Sequence, residues 1–287
     1  MSDSPSFSQI CSKTLSRPVF TALAKGADPL KILAPLLEQL AEREIRSVSA
    51  TLELAFGHLR SHYRNEYVYK AAVIDRIVFG RHSPATSAVG MELHVGKSIV
   101  DIAIFNGTST AYEVKSELDS PRRLTSQTAD YLKAFDKVYV VAPRNNAHRY
   151  ELCCDQRVGI MELNERGSLS TIREAMSNLH SIDTRALFKM LRREEYVAAI
   201  ERLLGQKITL PNGLVSQYCE QEFCKLSVQD AHAIHLKAMR RRTTDKDFVG
   251  YLRALPSHLR ALGYSSNLTA TQRAKIRAVL DSHAYLT

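Results

Sequence analysis

Apolar and polar positions divide the chain into three stretches of different period. In residues 1–62 the apolar residues recur every three or four positions, as on one face of a helix. Leu30, Ile32, Leu33, Leu36, Leu37 and Leu40 form one such set, and Leu52, Leu54, Ala55, Phe56 and Leu59 a second. Asp28 before Pro29 predicts an N-cap with proline at the first helical position. Residues 63–79 also read as helix, with Tyr67, Ala71, Ile74 and Val78 near one stripe. The pattern then changes to short runs rich in Val and Ile. These predict strands over residues 91–95, 99–105, 109–114, 138–142 and 158–163. Asn106-Gly107 predicts a tight hairpin between the second and third strands, and Arg166-Gly167 a turn after the fifth. Residues 121–135 read as helix. The 138–142 run is wholly apolar, as in a strand buried on both faces.

From residue 181 onward the helical period returns. Asp183 predicts a cap for a helix through Leu187, Met190 and Leu191, and residues 197–204 continue the pattern to a stop at Gly205. Pro211-Asn212-Gly213 reads as a loop. Helices are expected over residues 227–239, 247–262 and 269–283. The expected organisation is therefore a helical region 1–62, an α/β core 63–180 and a helical region 181–287.

Charge adds a partner class. The formal net charge is +9, and residues 181–287 hold 17 Lys and Arg against 10 Asp and Glu, an excess of +7. Arg240, Arg241 and Arg242 are its densest point, a candidate phosphate-binding surface. The five cysteines show neither chelating spacing nor a disulfide framework and read as reduced thiols. No apolar run approaches the roughly 18 residues of a membrane span, and the N-terminus lacks the pattern of a secretory signal. A cytoplasmic location is expected. His232 and His235 share a helix face but lack an HExxH context, and read as packing or surface residues. No phosphate-binding or dinucleotide-binding glycine pattern appears.

The chemistry concentrates in the strand region. The Asn106-Gly107 hairpin brings Asp101 and Glu113 to the same end of a sheet. Alternation along a strand lets Glu113 and Lys115 point at one site while Val114 enters the core. Two converging carboxylates suit Mg²⁺, which polarises a phosphoryl oxygen and acidifies a bound water. A lysine beside them positions that water or stabilises developing negative charge. Gln127 and Tyr131 are four apart on one helix face, with Arg123 four further back, a stripe that suits a phosphate backbone. Glu66, on the helix before the sheet, either reaches the metal or forms an ion pair with Arg64 or Lys70.

These residues carry a resemblance. The stretch from Glu66 to Pro143 resembles the core of the PD-(D/E)XK nuclease superfamily, with Asp101 at the motif's aspartate and Glu113-Val114-Lys115 at its ExK element. Glu66 matches the acidic residue of the preceding helix, and Gln127 and Tyr131 match the QxxxY motif of the RecB-like branch. The run from Tyr112 through Asp136 is similar to a family of bacterial nuclease-like proteins. Val100 stands where the name-giving proline would precede the aspartate. The resemblance implies a restriction-endonuclease-like core of αβββαβ order, a mixed sheet flanked by helices. It also implies Mg²⁺ or Mn²⁺ held by Asp101, Glu113 and the Val114 carbonyl. The expected function is metal-dependent hydrolysis of DNA phosphodiester bonds, in bacterial DNA processing or antiviral defence. The alternative is a catalytically silent nucleic-acid-binding subunit of a larger assembly. The residues do not choose between DNA and RNA, and they leave a protein partner or a second copy of the chain open.

Overall fold

The computed structural model describes residues 6–40, 47–117 and 119–282. Six strands form one mixed sheet in chain order: β1 (Ala88–Val95), β2 (Ser98–Asn106), β3 (Thr108–Val114), β4 (Lys137–Pro143), β5 (Gly159–Leu163) and β6 (Leu169–Arg173). The β1–β2, β2–β3 and β5–β6 pairs are antiparallel hairpins, whereas β3, β4 and β5 run parallel. Tight turns close the hairpins. Gly107 holds φ at 71° in the predicted Asn106-Gly107 turn, a conformation glycine adopts without Cβ conflict. Parallel neighbours need crossovers, and helices Leu124–Tyr131 and Arg144–Cys153 supply them.

Alternation along the strands divides the sheet between two cores. Ala111, Val138, Val140, Ala142 and Ile160 pack on Leu124, Tyr131, Ala147 and Tyr150 of the crossover helices. Ile102, Ile104, Tyr112, Val114, Tyr139 and Val141 face the opposite way, into a core that joins both ends of the chain. Leu33, Leu37, Leu52 and Leu59 enter that core from the N-terminal helices, and Leu252, Leu262 and Ile276 from the C-terminal ones. A third cluster, with Leu187, Ile200, Phe223 and Ala231, holds the helices from Thr184 to Arg241 together.

Asp28 accepts a hydrogen bond from the Leu30 amide, capping helix Pro29–Gln39 as its spacing predicts. Asp183 caps Thr184–Met190 in the same way, and Gly205 ends Arg193–Leu204 at φ 67°. The helix expected over 63–79 begins at Glu66, because Asn65 is its cap. It is α-helical over Glu66–Val73 and continues as a wider π-helix over Ile74–Arg81. That widening turns Ile74, Ile77 and Val78 inward together.

Other expectations need correction. The helix read over 121–135 is a 3₁₀ turn, Pro121–Arg123, then a helix that ends at Tyr131. Pro211-Asn212-Gly213 is not a free loop. Pro211 is the N-cap of helix Asn212–Cys224, which buries Val215, Cys219 and Phe223 at a spacing of four. The helix read over 247–262 is two, Lys246–Ala254 and Arg260–Ser265. Pro256 interrupts it, since proline can neither donate to the ladder nor let the residue before it stay helical. The last helix is Ala270–Asp281, and His283 lies outside the described residues. Helix Arg144–Cys153 and strand β6 were not anticipated, the helix because its mostly polar sequence buries only Ala147 and Tyr150. Among the described residues no helix is long and apolar enough to cross a membrane.

Candidate active site

The β2–β3 ladder ends at the Ile102–Tyr112 pair, and beyond it the two strands part. Asp101 fills the fork. Its Oδ2 accepts the Val114 amide at 2.8 Å, in place of a carbonyl from the neighbouring strand. In a strand the N–H and C=O of one residue point the same way. The Val114 carbonyl is therefore directed toward β2 and Asp101 as well, while Lys115 turns its amide the other way, to Val141 of β4 at 2.9 Å. The Val114 side chain is buried in the core, as alternation predicts.

Glu113 is buried beside this fork. Its Oε1 accepts from Lys115 Nζ at 2.7 Å, and its Oε2 lies 2.7 Å from the Tyr131 hydroxyl. That hydroxyl is also 2.6 Å from the Ile99 carbonyl, so its single proton has two acceptors. Lys115 Nζ donates in addition to Gln127 Oε1 at 3.1 Å. Thus Gln127 and Tyr131, one turn apart on the crossover helix, grip Lys115 and Glu113 respectively. Burial holds the Tyr131 phenol well above its ordinary pKa, reinforced by the Glu113 charge.

Sequence reasoning underrated Lys70. Its buried ammonium lies 3.2 Å from Asp101 Oδ1 and 3.5 Å from Glu92 Oε1, and it is paired with Glu66 one turn earlier on the same helix. Glu66 is thus engaged in the ion pair, with its side chain about half exposed. Burial alone would lower the Lys70 pKa, but Asp101, Glu66 and Glu92 outweigh it and raise it. Glu92 was also missed. It stands opposite Asp101, where the β1–β2 pairing skips a rung, with φ at 52° in the left-handed region. A strained backbone of this kind for a residue other than glycine is a recurrent feature of functional sites. The i,i+4 spacing of Glu66 and Lys70 was visible in the sequence, but no local signal joins either to Glu92.

Burial pushes the Asp101 carboxyl up to about 7; the charge on Glu113 adds to this and Lys70 opposes it. The folded value lies above the unfolded one, so this group favours the folded state most below about pH 4 and loses that contribution as pH rises toward 7. Asp101→Asn keeps an acceptor for the Val114 amide and removes the charge. In EDTA the variant should melt higher than the parent above pH 7 and equal to it below pH 4. Equal melting temperatures at pH 8 would show that Lys70 already neutralises Asp101.

The other predicted residues lie apart. Arg123 ends the 3₁₀ turn ahead of the helix and is exposed, so it is not held against Glu113. Arg242 is committed to Glu195, with Nε to Oε1 at 2.7 Å and Nη2 to Oε2 at 2.5 Å, and to the Met190 carbonyl at 3.0 Å. It is a structural ion pair and not a free phosphate contact. Arg240 and Arg241 are exposed at the end of helix Val228–Arg241. The next turn meets the start of β1, where Thr243 accepts the Val89 amide, several residues from the rung that holds Asp101. His232 and His235 are both buried. His232 Nε2 lies 2.9 Å from Ser109 Oγ, and His235 packs edge-on against Phe105.

Could this cluster hold a divalent cation? Among the described residues no three His, Cys, Asp or Glu side chains converge closely enough to form a ligand set by themselves. Asp101 at the fork, Glu113 beside it and the Val114 carbonyl directed toward Asp101 offer oxygen donors only. Mg²⁺ characteristically takes one or two carboxylates and keeps several waters, so the donor chemistry fits. Burial and the nearby Glu113 charge raise the Asp101 carboxyl although Lys70 stands 3.2 Å away, so an added cation would compete with Lys70 for it.

Comparison with curated proteins and with solved structures gives no match. A family model does match, that of bacteriophage P4 protein cII, over residues 59–264. This span runs from the last turn of helix Val48–His62 through the whole sheet to the end of helix Arg260–Ser265, and includes every residue of the fork. The chain belongs to the bacteriophage P4 protein cII family.

Proposed function

We propose that this protein is a metal-dependent nuclease of the PD-(D/E)XK type that hydrolyses DNA phosphodiester bonds. The observation that carries the proposal is the fork itself. Asp101 is bonded to the Val114 amide where β2 and β3 part, with Glu113, Lys115, Gln127 and Tyr131 in one hydrogen-bonded cluster beside it. A structural ion pair needs only two partners, whereas this cluster gathers a buried lysine, two carboxylates, an amide and a phenol where two interior strands of the sheet part. The order of elements supports the reading: helix Glu66–Val73, three antiparallel strands, helix Leu124–Tyr131 and strand β4 follow the αβββαβ order of a restriction-endonuclease-like core.

Asp101, Glu113 and the Val114 carbonyl would hold Mg²⁺ or Mn²⁺. Bound there, the ion would polarise a phosphoryl oxygen and lower the pKa of a coordinated water. Lys115 places a positive charge where phosphoryl charge develops, and Gln127 fixes its direction. Tyr131 orients Glu113 from below. Glu66 and Glu92 engage Lys70 and so set the charge around Asp101. DNA processing or defence against foreign DNA is the setting that suits such an activity.

The test is incubation of the purified chain with linear, circular and single-stranded DNA in Mg²⁺, Mn²⁺ or EDTA. Cleavage in either metal and none in EDTA is expected, and the circular substrate separates endonuclease from exonuclease action. Absence of cleavage with both metals would overturn the proposal in favour of a nucleic-acid-binding subunit.

A further inference from the structure

The carboxyl ends of the three parallel strands β3, β4 and β5 open together into a polar cleft of about 830 Å³. The segments that follow these strand ends form its crevice. Here the crevice begins at Glu117, two residues past Lys115, so the cleft starts within roughly 7 Å of chain from the candidate active site. Its far walls come from Arg144 after β4, Arg166 in the β5–β6 turn and Arg60 in the last turn of helix Val48–His62.

Four arginines line this cleft against two acids, Glu117 and Glu165. Arg64 is fixed as part of the wall. Its Nη2 donates to the Leu163 carbonyl at 2.7 Å, its guanidinium lies over the Tyr69 ring, and Glu117 stands 3.8 Å away. Arg60, Arg144 and Arg166 are different. All three are exposed, and none has a carboxylate partner among the described residues. Unpaired guanidiniums of like charge around one cleft repel each other unless an anion joins them. Their planar donor forks match phosphate geometry, and the cleft offers no large apolar side chain to anchor a peptide.

We infer that this cleft binds the phosphodiester backbone of a nucleic-acid strand and leads it to Lys115 and Glu113. The inference rests on the nuclease reading for the direction of the strand, but the cleft itself binds without metal. It also moves the main nucleic-acid contact away from Arg240, Arg241 and Arg242. The surface is assembled from the N-terminal helical region and the sheet.

The test measures binding of a labelled oligonucleotide, single-stranded and duplex, to the full chain in EDTA at several salt concentrations. The variants are Arg60→Gln combined with Arg166→Gln, and Arg240→Gln combined with Arg241→Gln. Each lost phosphate contact reduces the slope of log K against log salt by roughly 0.7 for single strands and 0.9 for duplex. The first pair should therefore flatten the slope by roughly 1.4 to 1.8, and the second pair should leave it unchanged. These arginines are exposed and unpaired, so the melting temperature should not move. An unchanged slope in the first pair, no binding by the parent chain, or equally effective competition by a mononucleotide would each overturn the inference. The two readings fail separately. A flattened slope without cleavage in either Mg²⁺ or Mn²⁺ keeps the cleft and removes the nuclease; cleavage with an unchanged slope does the reverse.

Discussion

Lys115→Ala is expected to lower metal-dependent DNA cleavage by about 10²–10³-fold, the range seen when one donor to developing charge is removed. The expectation follows from geometry. Lys115 is buried, and its ammonium is bonded to Glu113 at 2.7 Å and to Gln127 at 3.1 Å, so its position is fixed before substrate arrives. A donor held in advance costs no reorganisation when charge develops, and in a dry site it acts at low dielectric. The substitution also strips Glu113 of its cation. The Tyr131 hydroxyl remains, but a buried carboxylate with one neutral partner is poorly compensated. The variant should therefore melt lower than the parent in EDTA and recover part of the difference in Mg²⁺. Gln127→Ala retains the ammonium and loosens it, and a smaller loss of about tenfold is expected. Single-turnover cleavage, with circular dichroism to confirm folding, measures both. A loss below tenfold for Lys115→Ala would assign the lysine to holding Glu113 and nothing more.

Asp136→Ala should destabilise the chain by about 3 kcal/mol, since charge-assisted hydrogen bonds contribute about 1.5–3 kcal/mol each and stranded buried donors add their own cost. The buried Asp136 carboxylate accepts from Thr108 Oγ1 at 2.7 Å, Ser177 Oγ at 2.5 Å and the Asn178 amide at 3.1 Å. It thereby ties the start of β3 to the segment that follows β6. A melting-temperature drop of roughly 6–12 °C follows for a domain of this size. Burial works to raise the Asp136 pKa, but the hydrogen bonds from Ser177, Thr108 and Asn178 outweigh it and hold the carboxyl below its ordinary range. The folded value is depressed, so its contribution is present above the unfolded pKa near 4 and lost as pH falls through the folded value. The gap between parent and variant should be full at pH 7 and shrink below about pH 4. Asp136 lies just ahead of β4, at the end of the sheet away from the fork, so the cleavage rate per folded molecule should stay within about twofold of the parent. A melting temperature within about 2 °C of the parent would show that water replaces the lost acceptor.

What the sequence determined by itself was local. The short runs rich in Val and Ile located β1 to β5 within a few residues of their ends, and Asn106-Gly107 set the hairpin that places Asp101 across from Glu113. Alternation placed Glu113 and Lys115 on one side and Val114 in the core. The i,i+4 spacing put Gln127 and Tyr131 on one helix face, and each grips one member of the ExK element. These relations lie within a strand, a hairpin or a turn of helix, where spacing fixes geometry.

Tertiary packing decided the rest. Lys70, Glu92 and Asp101 sit on three different elements, and only the docking of helix Glu66–Val73 against the β1–β2 hairpin makes one ion cluster of them. Packing likewise removed Arg242 from the surface by pairing it with Glu195, 47 positions earlier. It also gathered Arg60, Arg144 and Arg166 into one cleft although Arg60 lies in the N-terminal helical region and the other two follow different strands. No local period encodes such a meeting. The hydrophobic pattern says which face of an element is buried, but its burial partner is chosen by the fit of whole surfaces, and the charges at the rims of those surfaces follow.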